Sequence, residues 1–177
     1  MFKPRIQRRH WLGCAIATGM TLMAGLHNSP AWALDAPQGR VILTVSGKIG
    51  QTNRDGKSVF DLAMLQKLPQ HTFTTQTPWE PKPVKFSGPL LKDVLAAVKA
   101  TGSQLTAVAL NDYKISLPVT DATQFGVMLA YRMNDEVLSV RTKGPLFVIY
   151  PFDSQAELKS AKYYERSIWQ LKAIDVQ

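Results

Sequence analysis

Between Phe86 and Pro151 the hydrophobic rhythm of the sequence changes every few residues, and turn-forming residues stand at the changes. Punctuation of this kind defines one folding unit, a capped helix followed by short strands and tight turns. Apolar residues at 90, 91, 94, 95 and 98 have helical spacing with one buried face. With Ser87 or Gly88 as N-cap, Pro89 in the first turn and Gly102 beyond the end, the spacing predicts a helix over about 89–100. Leu105 to Leu110 is apolar on both faces and predicts a buried strand. Tyr113, Ile115 and Leu117 alternate with Lys114 and Ser116, as in a half-exposed strand, and Asn111-Asp112 supplies the turn between the two. Gly126 to Met133 predicts another strand, Asn134-Asp135 a turn, and Leu146 to Tyr150 a third apolar run stopped by Pro151.

The flanking segments add to this unit. Arg40 to Ile49 predicts a strand ending at Gly47, and Gln51 to Lys57 a surface hairpin with Asp55-Gly56 at its tip. Leu62, Leu65 and Leu68 predict a short helix capped by Asp61 or Ser58 and stopped by Pro69. His71–Thr77 predicts a strand, and three prolines between Pro78 and Pro83 make a stiff extended loop carrying Trp79. Ser154 to Ala161 predicts a helix, and Ser167 to Val176 a closing strand that includes Trp169. The expected class is α+β, with mixed, largely antiparallel sheets and two or three short flanking helices.

Four motifs occur in order: Phe86-Ser87-Gly88-Pro89-Leu90-Leu91 with Asp93-Val94-Leu95, Asn111-Asp112-Tyr113 before a strand ending in Leu117-Pro118, Leu129-Ala130-Tyr131-Arg132-Met133-Asn134-Asp135-Glu136, and Lys143-Gly144-Pro145-Leu146-Phe147 running into Tyr150-Pro151. Together they resemble the oxidoreductase molybdopterin-binding domain, the pterin domain of sulfite oxidases, over roughly residues 40–176. The resemblance implies that fold and a molybdenum–pterin site held by a cysteine thiolate just before the Gly-Pro-Leu segment. Here that segment contains Thr74, Thr75 and Gln76 and no cysteine. An arginine of the family's Gly-x-Pro-x-Arg pattern is replaced by Phe147. The expectation is a reduced relative with no cofactor and no catalytic residue. The alternative is a molybdopterin-dependent oxidoreductase with a non-cysteine ligand or one donated by a partner subunit.

The first 33 residues have the layout of a cleaved signal peptide. Lys3, Arg5, Arg8 and Arg9 precede an apolar run from Trp11 to Leu26, and Ala31-Trp32-Ala33 is a small-x-small cleavage site. The run is shorter than the ~20 residues a membrane span needs. Arg8-Arg9-His10-Trp11-Leu12 resembles a twin-arginine signal. The expectation is a periplasmic protein cleaved after Ala33, one domain over 34–177, with no stable membrane span after cleavage. Four of the 21 Lys and Arg leave with the leader, which lowers the net charge from +8 to +4. The remaining cations are scattered among acids, so a nucleic-acid partner is excluded.

Cys14, the one cysteine, lies in the leader, and His71 is the one histidine beyond it. Disulfides, cysteine nucleophiles and zinc sites of the usual N/S kind are therefore excluded from the expected mature chain. No Gly-x-Ser-x-Gly elbow and no phosphate-binding glycine loop occurs. What remains is a polar set that the resemblance would bring to one rim: Asn111, Asp112, Tyr113, Arg132, Lys143 and Gly144, with Trp79 lining the same cleft. Arg132 has two roles open to it, an ion pair with Asp112 or Glu136, or the grip on a carboxylate or oxyanion. The expected partner is a small anionic ligand or a periplasmic protein.

Overall fold

The computed structural model describes residues 34–177, so the expected leader and its cleavage lie outside the described residues. Three sheets carry the fold. The first has five strands in the order β2 (Ser58–Phe60), β1 (Leu43–Gly47), β11 (Leu171–Val176), β5 (Gln104–Ala109) and β6 (Lys114–Pro118). Only its β1–β11 pairing is parallel, with Val45 opposite Ile174; the other pairings are antiparallel. The second sheet runs β3 (Gln70–Thr75), β4 (Val84–Pro89), β8 (Arg132–Met133), β9 (Glu136–Val137), and the third pairs β7 (Met128–Ala130) with β10 (Phe147–Ile149). Four short helices flank them: α1 (Leu62–Lys67), α2 (Leu91–Ala97), α3 (Val119–Gln124) and α4 (Ala161–Arg166). The class is α+β as expected, with four helices among the described residues rather than two or three. No helix among the described residues is long and apolar enough to cross a membrane.

The largest departure from expectation is the central helix. Pro89 does not open it: β4 continues through Pro89, because every residue from Val84 to Pro89 pairs with β3 and Phe86 and Ser87 also pair with β8. The helix begins at Leu91 after a Leu90 cap with no side-chain hydrogen bond. Gly88 is needed for close approach rather than capping, since a Cβ there would lie 2.2 Å from the Leu129 carbonyl oxygen of β7. The left-handed residue that ends α2 is Lys99 at φ 50°, where the Ala100 amide returns to the Leu95 carbonyl at 3.0 Å. Gly102 instead packs its α-carbon against the Gln177 backbone.

Smaller corrections follow from packing. β5 buries Leu105, Ala107 and Ala109 on one face only, leaving Thr106 and Val108 half-buried. The strand expected from Gly126 to Met133 breaks at Tyr131 into β7 and β8, which join different sheets. The helix expected at Ser154–Ala161 is a 3₁₀ turn, Ala156–Leu158, followed by α4, and the closing strand starts at Leu171 rather than Ser167.

Asp61 caps α1 as one of the two residues expected there. Its carboxylate accepts from the Met64 amide at 2.8 Å and, from outside the helix, from the Gln38 and Gly39 amides at 2.8 and 2.7 Å. The Met64 bond, then those to Gly39 and Gln38, hold its pKa below the ordinary carboxylate value against the opposing cost of burial. A depressed folded-state pKa contributes stability above the unfolded carboxylate value of ~3.9, and that stability is lost as pH falls through the folded pKa. Asp61→Ala is expected to cost about 2 kcal/mol at neutral pH, from a lost cap and stranded amides. Urea melts from pH 7 to pH 2 should show that cost shrinking toward the acid end.

Candidate functional site

Trp79 is the centre from which the site is built. The proline loop holds it with its ring 5.9 Å from Phe147, 6.1 Å from Phe152, 6.1 Å from Tyr164 and 5.7 Å from Trp169. Phe147 and Phe152 are core residues, whereas Trp169 is 41% exposed, so the cluster runs from the interior to the surface. Ring pairs at these separations and steep angles are favourable beyond their burial alone. The loop is pinned from below as well. The Gln76 side-chain amide donates to the Glu80 carbonyl at 3.0 Å, and Lys143 Nζ sits 2.6 Å from the Glu80 carboxylate.

Over this floor lies a cleft of ≈ 300 Å³ with three walls. Trp79 forms one; the β5–β6 turn brings Ala109, Asn111 and Tyr113; and the end of α4 with the segment after it brings Tyr164, Glu165, Ser167, Ile168 and Trp169. The third wall owes its shape to Gln170, whose φ of 53° turns the chain just before β11. The turn is locked by the Gln170 amide on the Lys143 carbonyl at 2.9 Å, by Val148 N–H on the Ile168 carbonyl at 2.9 Å, and by the buried Ser167 hydroxyl on the Tyr163 carbonyl at 2.9 Å. On the turn wall, Asn111 Oδ1 accepts from the Tyr113 amide at 3.1 Å, while Asp112 takes φ 66°.

The residues expected at one rim are thus only partly assembled. Asn111, Tyr113 and Trp79 meet in the cleft, and Lys143 lies beside it, its ammonium 5.3 Å from the Trp169 ring centroid. Asp112 does not line it but pairs with Lys172 at 2.6 Å, and that hydrogen bond lowers its pKa. Gly144 is a backbone device: a Cβ there would meet the Leu138 carbonyl oxygen at 2.4 Å. Arg132 belongs to the second sheet. It pairs with neither Asp112 nor Glu136 among the described ion pairs, and its Nη1 donates to the Asp135 carbonyl at 2.7 Å within the β8–β9 hairpin. Sequence reasoning missed Tyr164 and Glu165, whose helix it did not predict. The Tyr163-Tyr164 pair followed closely by Trp169 was the available signal.

Thr74, Thr75 and Gln76 lie at the end of β3 and just beyond it. Thr74 is exposed on the strand, and Thr75 is fully buried. The Thr75 hydroxyl accepts from the Asp153 amide at 3.0 Å and donates to its carboxylate at 3.3 Å. That carboxylate also accepts from the Gln76 amide at 2.6 Å and pairs with Lys159 at 2.7 Å. The Lys159 bond first, then the Gln76 amide, keep Asp153 below the usual carboxylate range. Among the described residues no three His, Cys, Asp or Glu side chains converge as a metal site.

This arrangement, two main sheets with a small third pair between turns and an aromatic cleft beside the end of β3, defines a domain of the sulfite-oxidase-like α+β class. The family model of the oxidoreductase molybdopterin binding domain matches residues 40–168, and the chain belongs to that family. Among solved structures, the sulfane dehydrogenase SoxCD from Paracoccus pantotrophus shares the fold with a TM-score of 0.58 at 18% identity, over 76% of this chain and 37% of that one. The chain therefore spans little more than a third of that neighbour's length. No curated protein sequence matches the chain.

The residues at the expected cofactor positions do not fit a molybdenum–pterin group. Over Thr74–Gln76, where the resemblance would put the thiolate, the donors are oxygen and amide, and the Thr75 hydroxyl is already committed to Asp153. Phe147, which the sequence resemblance sets against the family's arginine, is 1% exposed and packs against Trp79, Phe86 and Trp169, with ring centroids 5.7–6.1 Å away.

Proposed function

We propose that this protein is a non-catalytic binding module built on the molybdopterin-domain scaffold, taking a small ligand in the Trp79–Trp169 cleft. What supports this reading is an open aromatic cleft, together with a Thr75 hydroxyl already bonded to Asp153 and a Phe147 ring packed in the core. A cleft of ≈ 300 Å³ lies at the lower end of the ligand-pocket range, which suits a small solute or a single side chain of a partner protein. The aromatic walls supply contact area and Asn111, Ser167 and Glu165 the few polar groups that would orient it. The leader-like first 33 residues support a periplasmic location, and intact mass of exported protein beginning at Leu34 is the check.

Metal and pterin analysis of protein made in a cofactor-competent host tests the non-catalytic assignment. The expected result is colourless protein without stoichiometric molybdenum and without sulfite or sulfoxide oxidoreductase activity. Stoichiometric molybdenum would overturn it in favour of an oxidoreductase whose metal is held by non-cysteine donors or by a partner subunit.

A further inference from the structure

The walls of the cleft also specify the charge and shape of what enters it. Trp79 and Trp169 meet at 56° and Trp79 and Tyr164 at 74°, so the rings form a corner rather than parallel plates. A flat heterocycle needs two nearly parallel faces to be sandwiched. A corner of ring faces instead suits a compact, rounded group.

The charge around the corner is negative. Glu165 lines the cleft with no ion-pair partner among the described residues, and no Lys or Arg lines it. Lys143, the cation beside Trp169, is neutralised by Glu80 at 2.6 Å. Arg166, next to Glu165 in sequence, turns to the other side of α4 and is bound to Asp121 at 2.7 Å. The cations expected to hold an anion are thus spent elsewhere, Arg132 on a hairpin carbonyl and Lys143 on Glu80. Ring faces attract cations through their quadrupole and repel anions, most strongly for tryptophan. Lys143 over the Trp169 ring shows that this indole already carries one cation contact.

From this geometry we infer that the cleft binds a compact organic cation of the quaternary-ammonium class, seated in the corner of Trp79, Trp169 and Tyr164 with Glu165 as counter-charge. The inference rests on the binding-module function proposed above and takes a cation where the sequence led to the expectation of an anion. A quaternary ammonium has no N–H to leave unsatisfied among rings, and its charge is spread over methyl groups that pack against them.

The test titrates the purified protein with three probes of one shape: choline, its neutral isostere 3,3-dimethylbutanol and the anion 3,3-dimethylbutyrate. Calorimetry and tryptophan fluorescence are the readouts. Choline is expected to bind at least ~5-fold more tightly than the alcohol, with the carboxylate weakest. Glu165→Gln should reduce the preference for choline over the alcohol by roughly threefold. Trp169→Ala should abolish choline binding, and because Trp169 is half-exposed its far-UV spectrum should match that of the parent. Equal affinity for choline and the alcohol, or an unchanged preference in Glu165→Gln, would overturn the cationic assignment. Binding of the alcohol or the carboxylate without choline would overturn it too and leave the binding module standing. Silence from all three probes would overturn the cationic assignment, while the binding module stands or falls on the metal analysis above.

Discussion

Phe147→Arg, which would place an arginine where the sequence resemblance puts the family's, is expected to destabilise the protein by about 4 kcal/mol or more, enough to unfold much of it. The reason is where Phe147 sits. Its ring is 1% exposed, with Phe86 edge-on at 5.7 Å and Trp79 and Trp169 tilted against it at 5.9 and 6.1 Å. A guanidinium there would lose its hydration among aromatic faces, and the aromatic contacts would be lost as well. Thr75→Cys, by contrast, should cost about 1 kcal/mol, the value of one hydroxyl hydrogen bond to the Asp153 amide. Thermal melts of the two single variants and the pair give the comparison. A doubly substituted protein that melts with the parent and gains molybdenum would show that the cofactor position is intact and only its two ligands are missing. The expected outcome is that two substitutions do not produce a molybdenum site, because position 147 lies in the hydrophobic core.

The second large effect is expected at the part-buried ion pair of Arg166 and Asp121. Arg166 Nη1 lies 2.7 Å from Asp121 Oδ2, and the same oxygen accepts from the Tyr150 hydroxyl at 2.7 Å. Asp121 is 3% exposed and Tyr150 fully buried. Burial first, and then the hydrogen bond to Asp121, push the Tyr150 phenol far above its ordinary range, so it remains a donor at any pH the fold survives. Arg166→Met should cost about 3–5 kcal/mol, because it strands the Asp121 carboxylate without a cation. Adding Asp121→Asn should recover more than half of that loss, since a neutral amide oxygen still accepts from Tyr150 and no buried charge is left unpaired. Denaturant unfolding of the parent, both singles and the double variant closes the cycle. If the double variant is as unstable as the sum of the singles, the loss comes from packing against Tyr163, whose ring lies 5.6 Å from the Arg166 guanidinium, and the charge argument fails.

The family, the fold class and most element positions are legible in the sequence because their signals are local. Asp61 can cap α1 because its carboxylate reaches an amide three residues on. Asn134 and Asp135 both take positive φ, 49° and 67°, in the hairpin where that dipeptide is favoured, and Asp55 does so at 48° beside Gly56. The alternation of β6 follows from its exposed and buried faces, with Leu117 inside and Lys114 outside.

Where two local signals competed, tertiary structure decided. Ser87-Gly88-Pro89 has the composition of a helix start, yet it is strand because β3 lies alongside it and β7 approaches close enough to require Gly88. Arg132 was drawn into the second sheet because the chain breaks at Tyr131, a break that alternation alone does not encode. The cleft is the extreme case. Trp79, Asn111, Tyr113, Tyr164 and Trp169 come from three distant segments, brought together by the antiparallel β11–β5 register and the turn at Gln170. The sequence by itself determined which residues turn, cap and bury. Which of them meet was decided only when strands far apart in the chain found their partners, since pairing register between distant strands depends on burial of whole faces rather than on any neighbouring residue.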